Sequence, residues 1–160
     1  MTMREQLEKI VRVIVTLGPI GYLPASGTMA TLFTVALLLV LSVFGLSNSI
    51  LVLLILPLVA LSVFLIHFGL GWFRQEDPPE IVLDEMIGYL FAVSIFPLKP
   101  FWLLIAAAIF RLFDILKPFG IRRFERLGGV AGVLLDDLLA GFYTQIVIIL
   151  GCIGYDLWFR

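Results

Sequence analysis

Long apolar blocks separated by short polar ones set the reading of this chain. Residues 1–17 come first and behave differently from the rest. Met3, Leu7, Ile10, Val11, Ile14 and Leu17 recur at three- and four-residue steps, opposite Arg4, Glu5, Glu8, Lys9 and Arg12. That period belongs to an amphipathic helix, and Glu5 to Lys9 and Glu8 to Arg12 are helix-supporting spacings. The segment is expected to lie along a membrane surface. Glu5 and Glu8 interrupt what would be a basic leader and no small-residue cleavage site follows, so it is expected to be retained.

Five apolar stretches follow, at 28–44, 50–73, 81–96, 101–116 and 138–159. Seventeen helical residues rise about 26 Å, close to the hydrocarbon thickness of a bilayer. The expected fold is therefore all-α: a polytopic membrane helical bundle of about five membrane helices plus the interfacial one, forming a single domain over 1–160. Pro57 is placed to kink the second span, and the third, ending at Pro97-Leu98-Lys99-Pro100, is short. Residues 74–85 carry Pro78-Pro79 and read as a loop. Residues 119–135 read as a basic stretch followed by a glycine-containing flexible loop.

Composition supports lipid as the solvent: 61% of the 160 residues are hydrophobic and 14% charged, more apolar surface than a soluble domain of this size can hide. Eleven basic against 12 acidic residues leave no excess of positive charge for nucleic acid. Cys152 has no second cysteine, which excludes an internal disulfide and a thiolate metal site. With five crossings, Arg4, Lys9, Arg12, Arg74, Arg111, Lys117, Arg122, Arg123 and Arg126 gather on one side, leaving Lys99 and Arg160 on the other. The positive-inside rule makes the first side cytoplasmic.

The candidate chemistry gathers on that same side. Asp84-Glu85 and Asp136-Asp137 open the third and fifth spans, and Asp114 lies near the end of the fourth. Acidic pairs at helix starts serve equally as plain caps or as metal ligands. Asp114, near a helix C-terminus where a carboxylate is disfavoured, tips the balance toward a divalent-metal site. All-oxygen ligation favours Mg²⁺ or Mn²⁺ over Zn²⁺. Arg111, Asp114 and Lys117 share one helical stripe, readable as a metal ligand between two phosphate-holding cations or as a salt-bridge ladder. Pro24-Ala25-Ser26-Gly27-Thr28 supplies two hydroxyls and a fresh helix N-terminus, suited to a phosphate or to simple capping. His67 and Cys152 lack catalytic neighbours and are expected to pack. A two-histidine or Cys-x5-Arg phosphatase is thereby excluded.

Three blocks resemble the phosphatidylglycerophosphatase A family. Gly21 through Thr28 is similar to its P-x-x-P-G-T stretch, and Val82 through Gly88 to its V-x-D-E-x-x-G. Phe110 through Pro118 matches F-R-x-F-D-x-x-K-P and is joined, through Gly128-Gly129, to Leu135-Asp136-Asp137-Leu138-Leu139-Ala140-Gly141. Ser26 departs from the family's usual proline, and Ala30-Thr31 from its usual Gly-Ser. The resemblance implies a multi-pass enzyme of the bacterial inner membrane that dephosphorylates phosphatidylglycerol phosphate with Mg²⁺, its active site facing the cytoplasm. Metal ligands would then be Asp84, Glu85, Asp114, Asp136 and Asp137, with Asp84, Glu85, Asp114 and Asp137 catalytic. Arg111, Lys117, Thr28 and Ser26 would hold the phosphate. Two alternatives stand beside it. A CDP-alcohol-type phosphotransferase would need a D-x2-D-G-x2-A-R pattern that is not found; a small ion-coupled transporter would need its charges at mid-membrane.

Overall fold

The computed structural model describes residues 2–73 and 78–159. Arg74 and Arg160, counted in the charge asymmetry, and the start of the 74–85 loop lie outside them. The order of elements is α1 (Met3–Val15), a 3₁₀ turn (Ile20–Tyr22), α2 (Ser26–Val43), α3 (Asn48–Leu70), α4 (Leu83–Val93), α5 (Pro100–Leu116), α6 (Ile121–Glu125) and α7 (Gly129–Phe159). Among the described residues every regular element is helical, as the apolar periodicity requires.

Helix α1 starts with a reciprocal cap: the Thr2 hydroxyl accepts from the Glu5 amide, and the Glu5 carboxylate accepts from the Thr2 amide. Its four-residue ion pair is Arg4–Glu8 at 3.1 Å, a different register from the two spacings read in the sequence. Val11 and Val15 are buried, Val15 against Gly69 of α3, while Met3, Leu7, Ile10 and Val13 stay exposed. An apolar stripe half docked and half open suits a helix lying at a membrane surface.

Helices α2, α3 and α7 are the three described helices long and apolar enough to cross a membrane. Large apolar side chains such as Val43, Phe44, Leu53, Leu56, Leu150 and Leu157 face outward along them, the arrangement lipid permits and water penalises. Helix α3 runs unbroken through Pro57. Helix α5, with 17 residues, falls just short of that length. Of the five expected crossings, three are thus matched by described helices of that length.

The third expected span is corrected most. Helix α4 has only 11 residues, rising about 16 Å, and cannot cross. Instead it is the hub of the bundle, packed against α2, α3, α5 and α7 with Leu83, Ile87, Tyr89, Leu90, Ala92 and Val93 buried. A helix ending inside a membrane bundle must find partners for its last carbonyls within the protein. Here side-chain amides provide them. Asn48 Nδ2 donates to the carbonyls of Ser94 (3.2 Å) and Phe96, and Gln145 Nε2 of α7 donates to Phe91 O at 2.6 Å. Tyr89 Oη donates to Leu103 O at 2.7 Å, joining α4 to α5. Gln145→Leu should therefore destabilise the fold by about 0.5–1.5 kcal/mol, the net contribution of one lost hydrogen bond, because Phe91 O still accepts from Ser94 N and Oγ. A lower midpoint for its thermal unfolding in detergent checks this; an unchanged midpoint counts against it.

A second correction concerns α7. It begins at Gly129, not near residue 138, so Gly132 is helical and Asp136-Asp137 lie some 10 Å inside the helix. The basic stretch before it folds into the five-residue α6.

Candidate active site

One end of the bundle gathers the start of α2, the start of α4, the end of α5 and the third turn of α7. Close packing produces this convergence. A Cβ placed on Gly88 would lie 2.7 Å from Asp137 Cβ and 2.8 Å from Asp137 O; one on Gly141 would lie 2.6 Å from Gly88 O. Only glycine lets α4 and α7 approach this closely, the small-residue packing favoured between helices in lipid. Bringing the two backbones together places the acids of α4 against those of α7.

Between these elements lies a cavity of about 270 Å³, lined by Asp84, Glu85, Arg111, Asp114, Lys117, Asp136 and Asp137. All five carboxylates expected from the sequence, and both cations, reach it. They are not equivalent. Asp84, Glu85 and Asp137 each offer a carboxylate oxygen, all within 4.8 Å of one another. Asp84 Oδ1, Glu85 Oε2 and Asp137 Oδ1 are buried without a hydrogen-bond partner. Asp114 instead pairs with Arg111 Nη1 at 2.5 Å, and Asp136 with Lys117 Nζ at 2.7 Å. Asp136 Oδ1 also accepts from the Asp137 amide. The alternating charges on α5 are therefore ion-paired and cavity-lining at once, so the salt-bridge and ligand-binding readings of that stripe both hold in part.

Five carboxylates facing two cations in a buried pocket are expensive unless further positive charge enters. The orphaned oxygens mark where it would sit. Three hard oxygen donors, with no histidine or cysteine among the lining residues, fit a Mg²⁺-like cation.

Of the expected phosphate contacts, Ser26 lines the cavity but its hydroxyl donates to Pro79 O at 2.8 Å. Thr28 is half-buried and is not part of the lining. The helix starts remain available: α2 and α4 both begin at the cavity without a side-chain cap, leaving first-turn N–H groups for a ligand. The start of α7 does not contribute, because it lies two turns upstream. Ala25 (φ 55°) and Lys117 (φ 45°) both take left-handed backbone conformations at the cavity. Such strain costs on the order of 1–3 kcal/mol per residue and collects at functional sites.

Sequence reasoning missed the role of Gly27. A Cβ there would collide with Glu85 Oε1 and both terminal nitrogens of Arg111, so the bare backbone leaves room for that pair. Its place inside the quoted 21–28 block was the available signal. Pro78, Pro79, Ile81 and Val133 complete the lining and carried no signal of their own. His67 is exposed with its ring edge-on to Phe68, and Cys152 is exposed; neither approaches the cavity lining.

The family model for phosphatidylglycerophosphatase A matches residues 13–151, from α1 into α7. The chain belongs to the phosphatidylglycerophosphatase A family. Similar curated proteins include phosphatidylglycerophosphatase A of Haemophilus influenzae, 38% identical over 65% of this chain and 73% of that protein. Phosphatidylglycerophosphatase A of Escherichia coli is 33% identical over 52% of this chain and 49% of its own. A Bacteroides thetaiotaomicron protein with the provisional name phosphatidylinositol-3-phosphatase is 46% identical over 46% of this chain. The chain spans about half the length of two of these relatives, 48% and 49%. No solved structure matches it.

Proposed function

We propose that the chain hydrolyses phosphatidylglycerol phosphate to phosphatidylglycerol and inorganic phosphate, using Mg²⁺, at the cytoplasmic edge of the bacterial inner membrane. The observation that carries the reading is the trio of buried, unpartnered oxygens on Asp84, Glu85 and Asp137, set beside two ion-paired cations in one pocket. Membership of the family supports the substrate.

Asp84, Glu85 and Asp137 would hold the cation, with Asp114 and Asp136 shaping its surroundings through their pairs with Arg111 and Lys117. A bound Mg²⁺ would supply Lewis-acid charge against a phosphoryl oxygen and raise the acidity of water. Arg111 and Lys117, already oriented by their acids, would turn their remaining N–H donors to the phosphomonoester oxygens. The first-turn amides of α2 would add neutral donors. As the water oxygen bonds to phosphorus, its proton passes to a carboxylate of the cluster. The ester P–O bond breaks on the opposite side, and the departing glycerol oxygen takes up a proton. Leu112, Ile115 and Leu116 are exposed on the α5 turns that carry Arg111, Asp114 and Lys117. A headgroup can thus enter sideways while its acyl chains stay in lipid.

Purified protein given phosphatidylglycerol phosphate in mixed micelles should release inorganic phosphate. Chelation should lower the rate on the order of 10²–10³-fold, and added Mg²⁺ should restore it. No release overturns the substrate, and release untouched by chelation overturns the metal. Phosphatidylinositol 3-phosphate, assayed in parallel, should turn over more slowly; faster turnover would reassign the substrate.

A further inference from the structure

Beyond Lys117, the connection from α5 to α7 lines no part of the carboxylate cavity, yet its backbone is held in a costly shape. Lys117 (φ 45°), Phe119 (φ 53°) and Gly120 (φ 91°) are all left-handed within one short turn. Only glycine takes that conformation without strain. Tyr143 of α7 holds the turn: its hydroxyl donates to Phe119 O at 3.2 Å, and its ring centroid lies 5.8 Å from that of Phe119. Ile121 is fully buried, and α6 packs on α7.

What the turn and α6 present outward is a mixed surface. Phe119 is 78% exposed, Leu127 61% and Phe124 39%, and Arg122, Arg123 and Arg126 are exposed among them. None of these arginines has an ion pair among the described residues. Glu125 is the one acid in residues 117–135, so the surface stays net positive with that charge counted in full.

The pattern selects the occupant. Apolar side chains interleaved with arginines suit a headgroup layer, the rings and Leu127 dipping toward the acyl chains and the guanidinium groups meeting phosphates. An acidic protein partner would be met by an apolar centre inside a charged rim, which this surface lacks. Continuity points the same way. Leu112, Ile115 and Leu116 are exposed at the end of α5, so exposed apolar side chains continue from there through Phe119 to Phe124 and Leu127. We propose that Phe119, Phe124 and Leu127, together with Arg122, Arg123 and Arg126, form a docking surface for an anionic phospholipid leaflet. The turn begins at Lys117, which pairs with Asp136 in the cavity, so docking holds the cavity at the level of the headgroups.

The docking can be read without turnover. With Cys152→Ser removing the chain's one cysteine, Leu127→Cys takes a nitrobenzoxadiazole label at an exposed position. In phosphatidylcholine nanodiscs its emission should brighten and shift to the blue as phosphatidylglycerol is added, and phosphatidylserine should serve equally. High salt should reverse the change. Arg123→Gln should raise the half-maximal anionic fraction about fivefold, the worth of one basic residue near a charged leaflet. Arg122→Gln, Arg123→Gln and Arg126→Gln together should flatten the response, and Arg→Lys at the same positions should keep it. Emission that ignores anionic lipid, or that responds alike in the triple glutamine variant, overturns the docking surface. Loss of the response in the lysine variant, or a response to phosphatidylglycerol alone, means a headgroup-specific site and overturns the leaflet assignment. Native mass spectrometry needs no label: wild-type protein released from mixed-lipid nanodiscs should retain more phosphatidylglycerol than the glutamine variant, and equal retention by both overturns the proposal.

Discussion

Asp137→Asn should lower phosphate release on the order of 10³-fold while leaving the helical content intact. The amide keeps the shape of the carboxylate but removes one of the three unpartnered oxygen donors and its charge, and with them the several kcal/mol of charge stabilisation expected of a bound cation. Stability should move the opposite way. Without metal, the wild-type cavity holds a buried carboxylate beside Asp84, Glu85, Asp114 and Asp136, and neutralising it relieves repulsion. In chelator, the variant's melting temperature should therefore exceed that of the wild type. Added Mg²⁺ should raise the wild-type value and leave the variant nearly unmoved, because a ligand stabilises only the fold that binds it. Thermal scans of both proteins with and without Mg²⁺ measure all four values. Full activity, or an equal Mg²⁺-induced shift in both, would remove Asp137 from the centre.

Gly88→Ala should be almost as damaging although it touches no charge. Its added methyl group would meet the Asp137 backbone and Cβ below 3 Å, so α4 and α7 must separate. Overpacking of this kind costs about 1–3 kcal/mol. A shift of about 1 Å in the acids costs on the order of 100-fold in rate. Gly151→Ala, where a methyl group meets nothing within 4 Å, is the matched control on α7 and should change neither quantity. Wild-type rates in Gly88→Ala would show that the helix spacing does not set the site.

The site was more legible in the sequence than the fold. Every carboxylate and cation expected at it reaches one cavity, because their positions at polar edges of apolar blocks already constrained them to one end of the bundle. Their pairing was not legible. That Asp114 belongs with Arg111, and Asp136 with Lys117 across 19 residues, depends on how α5 packs on α7, which no local spacing encodes. Ser26 faces Pro79 rather than an open ligand position for the same reason. Among the helices, α1, α2, α3 and α5 were found within two or three residues at most ends because apolar periodicity and Pro100 or Pro118 define them. Helix α4 misled because a stretch buried on all sides by protein is as apolar as one surrounded by lipid. Its tertiary partners, Asn48 and Gln145, lie dozens of residues away. The start of α7 was misplaced because Gly128, Gly129 and Gly132 read as a loop, although Gly132 is tolerated inside the helix.

The shortness of α4 bears on how the protein comes into being. An 11-residue helix opening with Asp84-Glu85 has too little apolar length to enter a bilayer alone, so α5 must carry it in as the other arm of a hairpin. The bond from Gln145 to Phe91 O then waits, as do the acids of α4 for Asp137, until α7 has been synthesised and docked. A nascent chain that has completed α5 and its cap at Lys117 holds five of the seven charged groups of the pocket but lacks Asp136 and Asp137. Assembly of the cavity is thus coupled to completion of the bundle, so an unfinished chain held at the membrane has the acids of α4 and α5 without those of α7 that close the pocket.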